Sequence, residues 1–381
     1  MSERKLKAWQ EAGLIDAPTA DRIRIWEAQH ERPLALWSIV GIAALAIALG
    51  LISVVAANWD AIPGTTRLAI HLALLAGMAA LLWWKRDAHP MVGETGIFLF
   101  AALGLTFFGH TGQVYQTSAP LWQPLAAWLL LFTPIMLLFG RGWLSATGWF
   151  VGLAGTLQAY ADYRFGFGNV DVSPALWGTL TALPILVVAA AAAMRSRSTR
   201  PDFWRRLEQI ALIYTVAGTS LLLIASGFGD GPWESGDGKA LTACVTQSAI
   251  AALAAAFTFI LRPSASGKSV ALVLAASAVV NLLGYTLADK DVAAAILFML
   301  FWLAIAAAAL RGGWRPVFQF AVAVIALRLI ILSFELADDL LGSGLGLILA
   351  GLLTLAIAFA AVKVSKRFAP KDEPETAEDK P

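Results

Sequence analysis

The chain is poor in charge, in cysteine and in histidine, and each shortage removes a class of protein. Of 381 residues only 14% are Asp, Glu, Lys or Arg, against roughly 25% in an ordinary soluble domain. Hydrophobic residues make up 59%, and mean hydropathy is +0.70. A globular core cannot hide that much apolar surface, so lipid must be the solvent for much of it. A net charge of +2 gives no footprint for nucleic acid. The single cysteine, Cys244, excludes an intrachain disulfide and a thiolate metal cluster, and within an apolar span it reads as a small packing residue. His30, His71, His89 and His110 are scattered, with no His-Glu-x-x-His helix, so neither metal nor cofactor is expected. The absence of a Gly-rich phosphate loop argues against ATP-driven transport within the chain. The midplane also lacks the paired carboxylates of a typical proton-coupled carrier.

What is present is a series of apolar runs, each long enough to cross the hydrocarbon core. They fall at about 34–57, 67–84, 91–109, 121–140, 142–162, 173–194, 207–228, 240–261, 267–287, 291–310, 315–336 and 341–363. The expected fold is all-α: a polytopic helical membrane bundle of about twelve transmembrane helices. Short separators, such as Arg141 and Ala288-Asp289-Lys290, require antiparallel neighbours. The first 33 residues are polar and charged, unlike a cleavable signal peptide. If the N-terminus is inside and each span reverses the side, 23 Lys and Arg residues fall inside and four outside, with Arg328 within a span. The positive-inside rule then places both termini in the cytoplasm of a multi-pass inner-membrane protein. The organisation reads as a cytoplasmic amphipathic helix pair at 1–33, about five spans at 34–163, about seven at 173–363 and a disordered cytoplasmic tail at 364–381.

Tryptophans agree with this frame. Trp37, Trp83, Trp84, Trp143 and Trp314 fall near inner ends, and Trp59, Trp122, Trp177 and Trp233 near outer ends. Trp128, Trp149 and Trp302 miss both belts and are expected to pack between helices. In the N-terminal arm a first short helix stops at Gly13, and Asp16 caps a second that carries Pro18 in its first turn. This pair reads either as a docking site for a cytoplasmic partner or as an amphipathic start lying on membrane lipids.

Polar groups in hydrocarbon are costly, and those that persist face a bundle interior or a cavity. Most fall toward the outer side, including Asn58, Asp60, His71, His110, Gln113, Gln116, Gln158, Asp162, Gln247 and Glu335. The inner half holds fewer, chiefly Glu94, Glu208, Gln209 and Gln319. The candidate cavity or ligand residues are Asp60, His71, His110, Gln113, Gln116, Arg328 and Glu335, and no catalytic set emerges. Arg328 and Glu335 share one helix face, roughly 10 Å apart along the axis. That is beyond a simple adjacent-turn pair, although the two side chains are long enough to narrow the gap; the expected partner of Arg328 is a carboxylate or carbonyl elsewhere, with Asp60 and Asp162 the best candidates. Arg328 either clamps helices or offers its planar fork to a small anionic ligand. Gly109 to Gln116 reads as a re-entrant segment lining a cavity or as a solvated loop.

The polar N-terminal helix pair, the stretch VAANWDAIP (Val55 to Pro63) and the stretch GQVYQ (Gly112 to Gln116) resemble a bacterial family of predicted membrane proteins, domain of unknown function 2157. The resemblance covers roughly the first 140 residues; the later run Arg328 to Gly351 looks like the end of such proteins. It implies membrane location and supplies no activity. Three functions follow from the residues: a transporter or permease with an outward polar cavity, a non-catalytic scaffold or sensor, and a membrane-embedded enzyme acting on an envelope substrate. An Arg328 fully paired in a dry contact favours the scaffold; a continuous polar cavity reaching the midplane favours transport.

Overall fold

A computed structural model describes residues 6, 9–30, 46, 62–85, 90–166, 174–227, 238–285, 291–336 and 344–368. Among them every regular element is a helix. Residues 1–67 and 68–381 form two compact units.

In the first unit the turn after Trp9 closes as the sequence predicts. Gly13 takes φ +67, its N–H donates to Gln10 O at 3.1 Å, and Leu14 N–H donates to Trp9 O at 2.9 Å. This double bond around a left-handed residue satisfies the last carbonyls of a helix. Helix α1 (Ala17–His30) follows. Asp16 caps it by accepting from Thr19 N–H at 3.0 Å. The Thr19 hydroxyl, and then its backbone N–H, hold the Asp16 carboxyl below its usual pKa. Leu6 and Ala20 are buried.

The remaining helices are α2 (Gly64–Lys85), α3 (Pro90–Tyr115), α4 (Trp122–Phe139), α5 (Trp143–Gly166), α6 (Pro174–Ala182), α7 (Leu186–Arg195), α8 (Pro201–Gly227), α9 (Gly238–Leu261), α10 (Ala265–Tyr285), α11 (Asp291–Gly312), α12 (Arg315–Leu336) and α13 (Gly344–Phe368). A short 3-10 turn, Leu183–Ile185, joins α6 to α7. Pro184 lacks the N–H that would continue the α ladder, which accounts for the break. Among the described residues nine helices, with α6 and α7 taken together, are long and apolar enough to cross a membrane. Apart from Ala46 the predicted span at 34–57 lies outside the described residues, as does Asp60. Of the predicted tail at 364–381 only the part up to Phe368 is described, and it continues the last helix.

Helix α8 holds the bundle together, packing against α5, α7, α10 and α11. Phe203, Leu207 and Ala211 on it join Phe150 of α5, Val188 of α7, Ala251 and Ala254 of α9 and Leu274 of α10 in one core. The alanines matter because helices in lipid associate through close packing rather than through expulsion of water. Gly178 shows how close: a Cβ there would lie 2.6 Å from the Ala243 carbonyl oxygen of α9. A second core gathers Phe298, Phe301 and Trp302 of α11 with Phe318 of α12, and a third joins Ile97 of α3 to Trp128, Phe132 and Met136 of α4.

The tryptophans outside the belts behave as expected. Trp128 is 4% exposed and donates to Ala101 O at 2.6 Å. Trp149 donates to Thr133 Oγ1 at 2.9 Å, and Trp302 is buried. Trp83 and Trp84, at the end of α2, are 84% and 77% exposed. Cys244 is buried, as a packing residue should be.

One expectation is overturned. Gly109 to Tyr115 is neither loop nor re-entrant segment but the last turns of α3. The helix ends at Gln116, which adopts φ +53, and Thr117 N–H donates back to Gly112 O at 3.0 Å. Staying helical satisfies each backbone group inside the segment, which lipid demands and which glycine does not forbid.

Candidate functional site

Two of the sequence's candidates meet. His71, on α2, and His110, on α3, are 39 residues apart in sequence, yet their Nδ1 atoms lie 3.3 Å apart. His71 Nε2 is 3.0 Å from Leu103 O, and the Phe107 ring stands edge-on to His71 with centroids 5.3 Å apart. Gln113 and Gln116 are exposed further along α3 and at its end. Asp60 falls outside the described residues.

Arg328 and Glu335 also meet, against expectation. Arg328 Nη1 donates to Glu335 Oε1 at 2.7 Å, an ion pair within α12. Seven residues are nearly two turns, and the two long side chains close the axial gap between them. Asp162, the alternative partner, instead accepts from Gln158 Nε2 at 2.9 Å on its own helix. The Arg328 side chain is 16% exposed and that of Glu335 34%.

The most completely built polar sites lie where the sequence showed fewest, among the connections that carry Arg141, Arg200 and Arg262. Glu94, near the start of α3, is buried. Its carboxylate accepts from Arg141 N–H at 2.8 Å, Ser145 N–H at 2.8 Å and Ser145 Oγ at 2.9 Å. It therefore caps the N-terminus of α5 from 47 and 51 residues away in the chain, where both the free N–H groups and the helix dipole favour an anion. Glu208 of α8 is buried too. It pairs with Arg262, at the end of α9, and with Arg195, at the end of α7, at 3.6 Å. Arg262 reaches on to Ser266 Oγ of α10 at 3.0 Å, so one carboxylate ties four helices together.

Arg200 closes the C-terminus of α4, donating to Gly140 O at 2.6 Å and Leu137 O at 2.5 Å. Burial, and secondarily the charge of Arg141, lower its pKa. Arg141 and Arg200 line a cavity of about 60 Å³ with Gly93, Ile97, Leu138 and Phe139. Drug-sized ligands fill cavities of several hundred Å³, so this one suits a few waters. Deeper in the bundle, Tyr214 OH donates to Thr181 O at 2.6 Å, beside the break before α7. Gln247 Nε2 donates to Thr181 Oγ1 at 2.9 Å. Among the described residues no group of three or more His, Cys, Asp or Glu is placed to hold a metal ion.

Apolar helices of spanning length, with their charges tied to one another, mark an integral membrane protein. Residues 7–145 match the family model of DUF2157, described as a predicted membrane protein. No curated protein and no solved structure matches the chain. The matched stretch holds His71, His110, Glu94 and Arg141, and ends before Arg328.

Glu94, Glu208 and Tyr214 carry more of the polar architecture than the residues singled out from sequence. The first two were visible as inner-half carboxylates, but their partners lie too far along the chain for spacing to reveal them. For Tyr214 the signal was Pro184: a proline within a span leaves carbonyls in need of a donor from another helix.

Proposed function

We propose that this protein crosses the inner membrane about twelve times with both termini in the cytoplasm, and serves there as a non-catalytic scaffold or sensor. The observation that carries the reading is the pairing of Arg328. A guanidinium held at 2.7 Å by Glu335 has its charge met within its own helix. Glu94 and Glu208 also have their charges met, and theirs fasten one helix to another. The N-terminal unit supplies a surface for a cytoplasmic partner, with Leu14 71% and Ile25 59% exposed.

Replacement of Arg328 tests this. In the full-length protein in detergent, Arg328→Met should lower stability by about 1.5–3 kcal/mol, the range for a hydrogen bond to a charged group. Arg328→Met with Glu335→Leu should recover most of that loss, because no uncompensated charge is left. The reading fails if Arg328→Met leaves stability unchanged while removing an anion-induced rise in melting temperature seen in the unmodified protein.

The permease reading draws on a different observation, the break in the span 174–195 at Leu183–Ile185. Broken helices line substrate sites in transporters; here the Thr181 carbonyl beside the break is engaged by Tyr214.

A further inference from the structure

We propose that His71 and His110 are two protein ligands of a tetrahedral divalent-metal site, with Zn²⁺ the best-fitting ion. Three observations support it. Two nitrogens at about 2.0–2.1 Å from a tetrahedral ion lie about 3.3–3.4 Å from each other, and the two Nδ1 atoms are 3.3 Å apart. The same spacing is long for a hydrogen bond from an N–H and matches the bite of a tetrahedral ion.

The second observation is the other side of the His71 ring. Its Nε2 lies 3.0 Å from the Leu103 carbonyl oxygen, which can only accept, so Nε2 carries the proton. In the neutral ring Nδ1 then holds the lone pair and points toward His110. Metal-bound histidines are oriented in this way, the second ring nitrogen donating to a carbonyl or carboxylate. Third, the ligands sit on helices rather than loops, and Phe107 fixes the His71 ring edge-on. Imidazole suits Zn²⁺, Cu²⁺ and Ni²⁺, and the tetrahedral bite selects Zn²⁺ among them. Among the described residues His71 and His110 supply two of the four positions of a tetrahedral ion. The site stands apart from the scaffold reading, because its test measures metal uptake and leaves Arg328 untouched.

The test uses full-length protein purified in detergent, stripped with chelator and titrated with Co²⁺ as a spectroscopic probe. The expected result is saturable visible absorption of a tetrahedral Co²⁺ centre, displaced by one equivalent of Zn²⁺. His71→Ala and His110→Ala should each weaken uptake at least about 10-fold, the scale of losing even an outer-shell partner, while His30→Ala should bind as before. Absence of the Co²⁺ bands in the unmodified protein overturns the proposal however the variants behave. Uptake by both alanine variants equal to that of the unmodified protein overturns it too. So does a melting temperature that follows pH but ignores Zn²⁺, which would identify a hydrogen-bonded imidazole pair.

Discussion

At the end of the bundle that carries Arg141, Arg200 and Arg262, carboxylates are buried and divided among several helices. At the far end of α5 and α12, polar groups pair along their own helix: Gln158 with Asp162, and Arg328 with Glu335. The difference is one of function within the fold. A carboxylate shared between helices fixes their relative positions, and removing it takes the acceptor away from the cations or helix N–H groups it holds. A pair within one helix neutralises charge without joining anything. Among the described residues the first end therefore carries the clamp of the structure. His71 with His110 does reach from one helix to another, as does Gln247 with Thr181.

Glu208 should give the largest effect if the clamp is real. Glu208→Gln removes the charge facing Arg262 and Arg195 and should cost about 3–5 kcal/mol, the usual penalty for breaking a buried pair. Loss of monodisperse elution or a large fall in melting temperature would show it; a small change would erase the contrast between the ends. Glu94→Ala comes next, at about 2 kcal/mol, the upper range for losing a helix cap. The matched control is Gln158→Ala at the far end, which should change thermal stability by less than about 0.5 kcal/mol. Equal effects would break the comparison.

One further effect has the opposite sign. Gln116 holds φ +53, a conformation costing roughly 1–2 kcal/mol for an L-residue that glycine adopts freely. Gln116→Gly should raise stability by about 1 kcal/mol, read as a higher midpoint in thermal unfolding. If stability instead falls, the Gln116 side chain makes a contact that outweighs the strain.

Much of this fold was legible because hydropathy is a local property. The predicted runs 67–84, 121–140 and 315–336 coincide within a few residues with α2, α4 and α12. Gly13 and Asp16 announced their turn and cap, since both act within five residues. The error at Gly109 to Gln116 has a physical source. Glycines and polar residues signal loops in water, whereas in lipid the need to satisfy backbone groups keeps the helix going. The candidate site was half legible: His71, His110, Arg328 and Glu335 were picked out, but their partners were not. Spacing favoured a distant carboxylate for Arg328, and nothing in two scattered histidines indicated that their rings would meet.

The sequence by itself determined that the chain is a helical membrane protein and roughly where its helices lie, because hydrophobic length and backbone satisfaction are settled segment by segment. Which charges meet was decided only by the tertiary structure. Arg262 and Glu208 are 54 residues apart, and His71 and His110 are 39. Bringing such groups within bonding distance depends on the order in which α2, α3, α8 and α9 pack, and that order follows from small residues and side-chain shape, which carry no periodic signal along the chain.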